Sequence, residues 1–362
     1  MWSHWMCDTQ TGQRLAQLPA TDSSFARKIN GVGSGSHTFV TADLGYGSTP
    51  ATRRTSRLTL TRPWARTVVQ CWDGVPVYAG LISGKEPSEE DGTVALKTVE
   101  LRELFKYRTT FGQNGYNGAT DGRFVLQNQS LASIAGYLLW DVLQGARPNW
   151  QLPLILPPRG MTGTNSRTYH EFNLPIIETE LTAIQNLDGG PDIDFEPSWD
   201  AQDNLQWTSR VGDLTGSTID LNLSAPKSGV TGFGFIEDGN AQGNVFYAVG
   251  NGSDRDLKVA SQFADNDDPA MERIVQYSQE TRLDVLQKHA VEDLRAFRHA
   301  TRQYSFSIQA DATPGLRNLR NGQTIRTYTQ GHDWLEDGWI SHRLVGFSGD
   351  LTNTIKLQTQ QL

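Results

Sequence analysis

Two cysteines in 362 residues, Cys7 and Cys71, are too few for a disulfide framework. Both fall in expected strands of the amino-terminal region, where a buried thiol is favoured over a disulfide or a reactive nucleophile. No stretch reaches the ~18 apolar residues of a membrane-spanning helix. The opening residues, Met1-Trp2-Ser3-His4-Trp5, lack the basic segment and apolar run of a secretory signal, so no targeting peptide is expected. Positive charge is also short: 32 Lys and Arg stand against 40 Asp and Glu, for a formal net charge of −8. That balance opposes any overall attraction to nucleic acid or acidic membranes. The His residues show no ligand spacing; His289 and His299 lie about 15 Å apart along one expected helix. No Ser sits in a nucleophile elbow. No metal and no cofactor is expected.

What is present points to β structure. Hydrophobic residues make up 37% and charged residues 20%, the balance of a globular chain. The length suits two to three domains. Thirty-five Gly favour a turn-rich fold, and ten Trp are many for this length. The chain also echoes itself. Gly80-Leu81-Ile82-Ser83 is followed by Thr93-Val94-Ala95-Leu96-Lys97-Thr98, and Gly338-Trp339-Ile340-Ser341 by Thr354-Ile355-Lys356-Leu357-Gln358-Thr359. Each copy reads as a strand, a polar loop and a second strand with period-two alternation. The separation is far beyond the 20–50 residues of a stacking solenoid, so one β domain used twice is the expectation.

Residues 1–108 read as all-β. Thr11-Gly12 turns a hairpin, Ser23–Ile29 and His37–Ala42 alternate, Leu58–Cys71 reads as one long strand, and a short helix follows over Glu100–Lys106. Residues 109–190 read as a mixed insert. A Gly/Asn/Thr-rich loop over Tyr107–Gly122 precedes a helix of about Ser130–Gln144, a Pro/Gly-rich segment over Arg147–Gly163, and a helix of about Pro175–Leu187. Residues 191–362 return to β, with strands over Asp192–Trp199, Leu205–Val211, Phe233–Ile236, Asn244–Val249, Gln303–Ala310 and Thr324–Thr329 and the second echoed hairpin. Among them lies an amphipathic helix of about 281–300, with Thr281 as cap, Asp284 three residues on, and an apolar stripe of Leu283, Leu286, Ala290, Leu294 and Phe297.

One motif suggests catalysis. Asp192-Ile193-Asp194-Phe195-Glu196, after Asp188-Gly189-Gly190, resembles the acidic strand of chitinase-like glycosidases. Period two places Asp192, Asp194 and Glu196 on one strand face. The Asp-Gly pair stands one residue too far away, however, and the strand–helix alternation of a (β/α)8 barrel is missing. An edge strand with a polar outer face, or an interface patch, explains the same residues. Gly31-Val32-Gly33-Ser34-Gly35 imitates a phosphate loop, but a strand rather than a helix follows, so a turn is expected. Asp265-Asn266-Asp267-Asp268 lacks the Gly and distal Glu of a calcium loop. Arg53, Arg54, Arg57, Arg62 and Arg66 form a local basic run, read as a solvated strand-and-loop face or a contact for an acidic partner surface.

Four stretches resemble minor tail proteins of long-tailed bacteriophages, of the tail-tip or baseplate hub type. These are Val77–Ile82 with its charged hairpin leading into Val99–Phe105 and Arg108; Leu187–Pro197 with Trp207 and Arg210; Asn244–Gly252; and the long helix with Asp337–Gly346. The resemblance implies a mainly β fold with α insertions: two related tail-tube-like β-barrels, over 1–108 and 191–362, and a mixed helical insert domain over 109–190. It implies a structural protein rather than an enzyme. The chain would form a homotrimer whose six barrels meet a six-fold tube above and a three-fold tip below. Its expected partners are a distal tail protein or tail-tube ring, a tape-measure protein and other minor tail or receptor-binding proteins. DNA would pass through without specific binding. The expected place is the virion tail tip, after assembly in the host cytoplasm. Two rivals stand beside this reading: a tail-associated cell-wall glycosidase using Asp192, Asp194 and Glu196, and a carbohydrate-binding module with exposed Trp.

Overall fold

The computed structural model describes residues 1–111, 122–143, 150–187, 189–225, 228–265, 268–278 and 280–361. The fold is mainly β with helical insertions. Most of the Tyr107–Gly122 loop, Gln144, part of the Arg147–Gly163 segment, Asp188, Asn266 and Asp267 lie outside the described residues.

In chain order the elements are β1 (Trp2–Asp8), β2 (Arg14–Leu18), β3 (Ala20–Lys28), β4 (Ser34–Val40), α1 (Pro50–Leu60), β5 (Arg66–Trp72), β6 (Val75–Ser88) and β7 (Thr93–Glu100). A 3-10 turn follows over Leu101–Tyr107, then β8 (Arg123–Gln129), α2 (Leu131–Asp141), β9 (Leu154–Ile155), β10 (Asn165–His170) and α3 (Ile177–Gln185). Next come β11 (Asp192–Trp199), β12 (Leu205–Gly212), β13 (Ile219–Asn222), β14 (Val230–Asp238), β15 (Val245–Val249), β16 (Val259–Phe263), β17 (Glu272–Gln276) and α4 (Leu283–Phe297). The chain closes with β18 (Thr301–Gln309), β19 (Thr324–Thr329), β20 (Gly338–Asp350) and β21 (Thr354–Gln361).

Thirteen strands form one sheet along the path β14-β18-β21-β20-β3-β4-β7-β6-β5-β1-β2, with β19 bonded to β20 and β13 to β19. The path contains the same order twice. β3-β4-β7-β6-β5-β1 in the first half matches β14-β18-β21-β20-β19-β13 in the second, except that β13 runs parallel to β19 where β1 runs antiparallel to β5. Among the described residues the path is open, so the two expected barrels are two equivalent runs within one sheet. The cause is the length of β20: β19 covers Gly338–Arg343, and the remainder bonds to β3 from Gly346↔Lys28 to Asp350↔Ser24.

Backbone hydrogen bonds fix the equivalence. Trp64 N–H donates to Ile82 O at 2.8 Å, as Gly322 N–H does to Leu344 O at 2.8 Å. Thr41 N–H donates to Gly92 O at 2.8 Å, as Ala310 N–H does to Asn353 O at 2.8 Å. Trp64 (φ 61) and Gly322 (φ 85) share the left-handed conformation. Gly322 needs to be Gly, because a Cβ there would stand 2.6 Å from Leu214 Cβ. These bonds put Thr93 level with Thr354, so the Thr-x-x-Leu-x-Thr half of the echo is in register. Val94, Leu96 and Thr98 are buried as are Ile355, Leu357 and Thr359. The Gly-x-Ile-Ser half is not: Ile82 stands level with Leu344, which places Gly80 level with His342, and Gly338 lies at the far end of its ladder opposite Thr329. That half of the likeness is accidental.

Helix α1 overturns the long strand expected over Leu58–Cys71. Thr49 caps the helix in a capping box with Thr52, and Pro50 occupies the first turn. Arg53, Arg54 and Arg57 therefore sit on a helix rather than on a strand and loop. For α2, Ser130 is the cap and accepts from Ser133 N–H. Helix α4 begins at Leu283 with Arg282 at the cap and no side-chain bond from Thr281; Glu280 accepts from Arg282 N–H at 2.7 Å instead.

Residues 1–232 and 306–360 make one compact unit and Phe233–Ser305 a second, the boundary falling inside β14 and β18. In the first unit a large core joins Leu81, Leu101 and Phe105 to α2 (Ile134, Leu138), α3 (Ile177, Leu181) and β11–β12 (Ile193, Phe195, Trp207). The fully buried Arg102 ties the 3-10 turn to α3 through Glu178 at 2.9 Å. Cys7 and Cys71 are free and buried in this core, and burial pushes both thiols up to about 12. In the second unit β16-β15-β17 carry α4 on one face, closed by Ala248, Ala260, Leu286 and Ala290. Among the described residues no helix is long and apolar enough to cross a membrane.

Candidate functional site: an arginine–carboxylate clasp

Strand β11 pairs antiparallel with β12 along its whole length. Ile193 and Phe195 point into the core, which leaves Asp192, Asp194 and Glu196 together on the opposite face, as period two requires. The side chains opposing that face are arginines. Asp194, 4% exposed, accepts from Arg27 Nη2 at 3.1 and 3.3 Å, from Arg210 Nη1 at 3.3 Å and from Asn321 Nδ2 at 3.0 Å. Asp192 pairs with Arg343 and accepts from Asn30 Nδ2 at 2.9 Å. Glu196 pairs with Arg320 and lies 3.8 Å from Arg210 Nε.

Arg27 is the centre. It comes from β3, on the same strand parity as the buried Ser23 and Phe25. Besides Asp194 it donates to Glu100 Oε1 at 3.1 Å and to Phe195 O at 2.9 Å. Glu100 Oε2 accepts from Gly33 N–H at 2.7 Å. That approach explains one glycine of the Gly31–Gly35 run: a Cβ on Gly33 would stand 2.5 Å from Glu100 Oε2. Burial raises the Glu100 carboxyl above its ordinary range, and the Arg27 guanidinium opposes the rise. The clasp thus fastens β11 and β12 to β3 and β7 of the first run and to β20 of the second. Every carboxylate of the acidic strand is held by a cation, which is the arrangement of a structural junction.

A second polar cluster is sealed inside the first run. Ser23 Oγ lies 2.7 Å from His37 Nδ1, 3.1 Å from His4 Nε2 and 2.9 Å from Gln70 Oε1. Thr98 Oγ1 joins His37 Nε2 at 3.2 Å and Tyr78 at 2.9 Å. The Ser–His distance is that of a nucleophile and its base, yet Ser23 and His37 are both 0% exposed, so no reactant reaches them in this conformation. Burial holds His4 down at about 4 and His37 at about 3, which keeps both rings neutral. Among the described residues no three His, Cys, Asp or Glu are grouped to hold a metal ion.

Sequence reading found the three carboxylates and their common face but not their partners, and the outer face expected there is in fact buried at Asp192 and Asp194, where arginines cover it. Arg27 is separated from Asp194 by 167 positions. The available signal was a charged residue on the apolar parity of an alternating strand.

No protein-family model and no curated relative matches the sequence. Solved structures do match the fold. A tail protein from Neisseria meningitidis MC58 superposes with a TM-score of 0.62 at 12% identity, covering 100% of this chain and 96% of that one. The 43 kDa tail protein of prophage MuSo2 from Shewanella oneidensis gives 0.59 at 12% identity, covering 99% and 97%. An E. coli component of the type VI secretion system, described as similar to the T4 bacteriophage tail proteins gp27 and gp5, gives 0.50 at 10% identity, covering 95% and 73%. The chain shares the fold of the two tail proteins over at least 99% of its length.

Proposed function

We propose that this protein is a non-enzymatic hub of a phage tail tip. Three copies form a ring beneath the last tail-tube or distal-tail ring, and the ring serves as conduit or gate for genome ejection. The carrying observation is the repeated strand order, β3-β4-β7-β6-β5-β1 and β14-β18-β21-β20-β19-β13, in a chain whose whole length takes a tail-protein fold. Two equivalent runs per chain let three chains present six equivalent surfaces to a six-fold tube. On this reading 1–108 and 191–362 carry the two related regions, and 109–190 is the mixed insert that spaces them. The partners are the distal tail or tube ring, the tape-measure protein and other minor tail or receptor-binding proteins, and the place of action is the virion. The net charge of −8 suits a channel that must release DNA rather than hold it.

The acidic strand serves this hub as a fastening. Ion pairing on Asp192, Asp194 and Glu196 supports that role over glycosidase chemistry, which needs one carboxyl free to donate a proton. Sedimentation of the purified protein, alone and with its neighbouring tail proteins, is expected to give trimers or trimer-containing rings. A chain that stays monomeric under both conditions defeats the reading. Zymography on host cell wall is expected to show no clearing; clearing that is lost in Glu196→Gln would install the enzyme instead.

A further inference from the structure

The internal repeat leaves one junction unmatched, and we propose that a second copy of this chain fills it: β14 of one molecule adds as an antiparallel strand to Ser83–Ser88 of β6 in the next. The inference rests on the ring reading above and assigns its contact. Along one edge of β20, β19 covers Gly338–Arg343, Gly322 N–H bonds Leu344 O, and β3 then takes the rest, beginning with Ile29 N–H on Val345 O at 3.0 Å. The same edge of β6 begins identically. β5 covers Val75–Leu81 and Trp64 N–H bonds Ile82 O. There the likeness stops: among the described strands none continues along Ser83–Ser88 on that edge, while the other edge is paired to β7 through Ser88↔Thr93.

The strand equivalent to β3 is β14, since each bonds to the first strand of the matching four, β4 or β18. Among the described strands β14 ends the sheet path with one edge unpaired, and its Ile236 is 69% exposed. Taking Thr41 level with Ala310, and Glu237 level with its ion-pair partner Arg302, the middle of β14 falls opposite Glu86 when the β20:β3 junction is repeated between molecules. The charges permit it. Glu86 is already paired with Lys97, and Glu237 with Arg302 at 2.9 Å. Pro87, which lies within the β7 ladder opposite Val94, turns its nitrogen to the open edge and removes one donor there. That gap blunts pairing with arbitrary strands and leaves the edge to a strand that arrives in register. The contact joins two different surfaces, so it propagates head to tail and closes when the ring is complete.

The test is disulfide capture. Glu86→Cys is combined in turn with Phe235→Cys, Ile236→Cys and Glu237→Cys, which spans the register; the native Cys7 and Cys71 are buried and do not compete. Mild oxidation is expected to place the majority of chains of at least one double variant in covalent oligomers ending at the trimer, with none in the single variants. Thermal melting confirms that each variant folds. If the unmodified protein sediments as a trimer but no pair cross-links, this junction is overturned and the ring reading stands. If it sediments only as a monomer, both alone and with its neighbouring tail proteins, the ring reading fails and the junction with it.

Discussion

Asp141 is a carboxylic acid that the fold keeps from water. It lies on α2, 2% exposed, and its Oδ2 has no hydrogen-bond partner among the described residues. Burial pushes its pKa up to about 9. An acid raised in the folded state binds more protons folded than unfolded between its two pKa values. Stability is therefore full below about pH 4 and falls as pH rises toward 9, by about 1.4 kcal/mol per unit in the limit. Asp141→Asn keeps the shape and removes the ionisation. The variant is expected to melt at least ~5 °C above the parent at pH 7 and within a degree or so of it at pH 4. Thermal melts at the two pH values check this; parallel pH profiles would show that Asp141 is solvated. Nothing local marks it as buried, because Asp141 lies beyond the last residue of the stripe Leu131, Ile134 and Leu138 and a carboxylate at a helix end is ordinarily exposed. Cys7 and Cys71 were legible, since a small apolar residue within an alternating strand needs no partner to be placed.

Among elements, β11 shows where sequence reading succeeds and where it ends. Its period, its span and the common face of Asp192, Asp194 and Glu196 follow from alternation alone. What that face meets depends on β3, β20 and the Arg317–Asn321 segment, which only the tertiary fold brings near. Helix α1 failed for a different reason. Thr and Leu around 58–61 favour a strand, and the local capping by Thr49, Pro50 and Thr52 outweighs them. The clasp makes a graded prediction. Arg27→Ala strands Asp194 and Glu100 in the interior with less counter-charge and should cost about 3–5 kcal/mol, read as a fall in the urea midpoint. Glu196→Gln breaks half-exposed pairs and should cost less than about 1 kcal/mol. Equal losses from the two variants would mean that the strand is not anchored through Arg27.

At the scale of the whole molecule, charge and repetition bear on the same point. The echo in the sequence was half right: the Thr-x-x-Leu-x-Thr strands are equivalent, the Gly-x-Ile-Ser strands are offset, and the repeat itself lies in the order of the strands, which no short motif records. A ring of such chains is acidic overall, since each carries −8. Many of its arginines are engaged: Arg27, Arg210, Arg320 and Arg343 in the clasp, Arg66 with Asp8 at 2.7 Å, and Arg102 with Glu178. Helix α1 is one place where they are not: its first turn carries no acidic residue and its Arg54 is exposed. The assembled protein is therefore expected to leave linear duplex DNA unshifted in gel mobility at ~150 mM salt, where only a protein contacting several phosphates would hold it. A shift would place the α1 arginines on the DNA path. In that case Arg53→Gln, Arg54→Gln and Arg57→Gln together should abolish the shift, whereas Arg326→Gln, at a cation already paired with Asp220, should not.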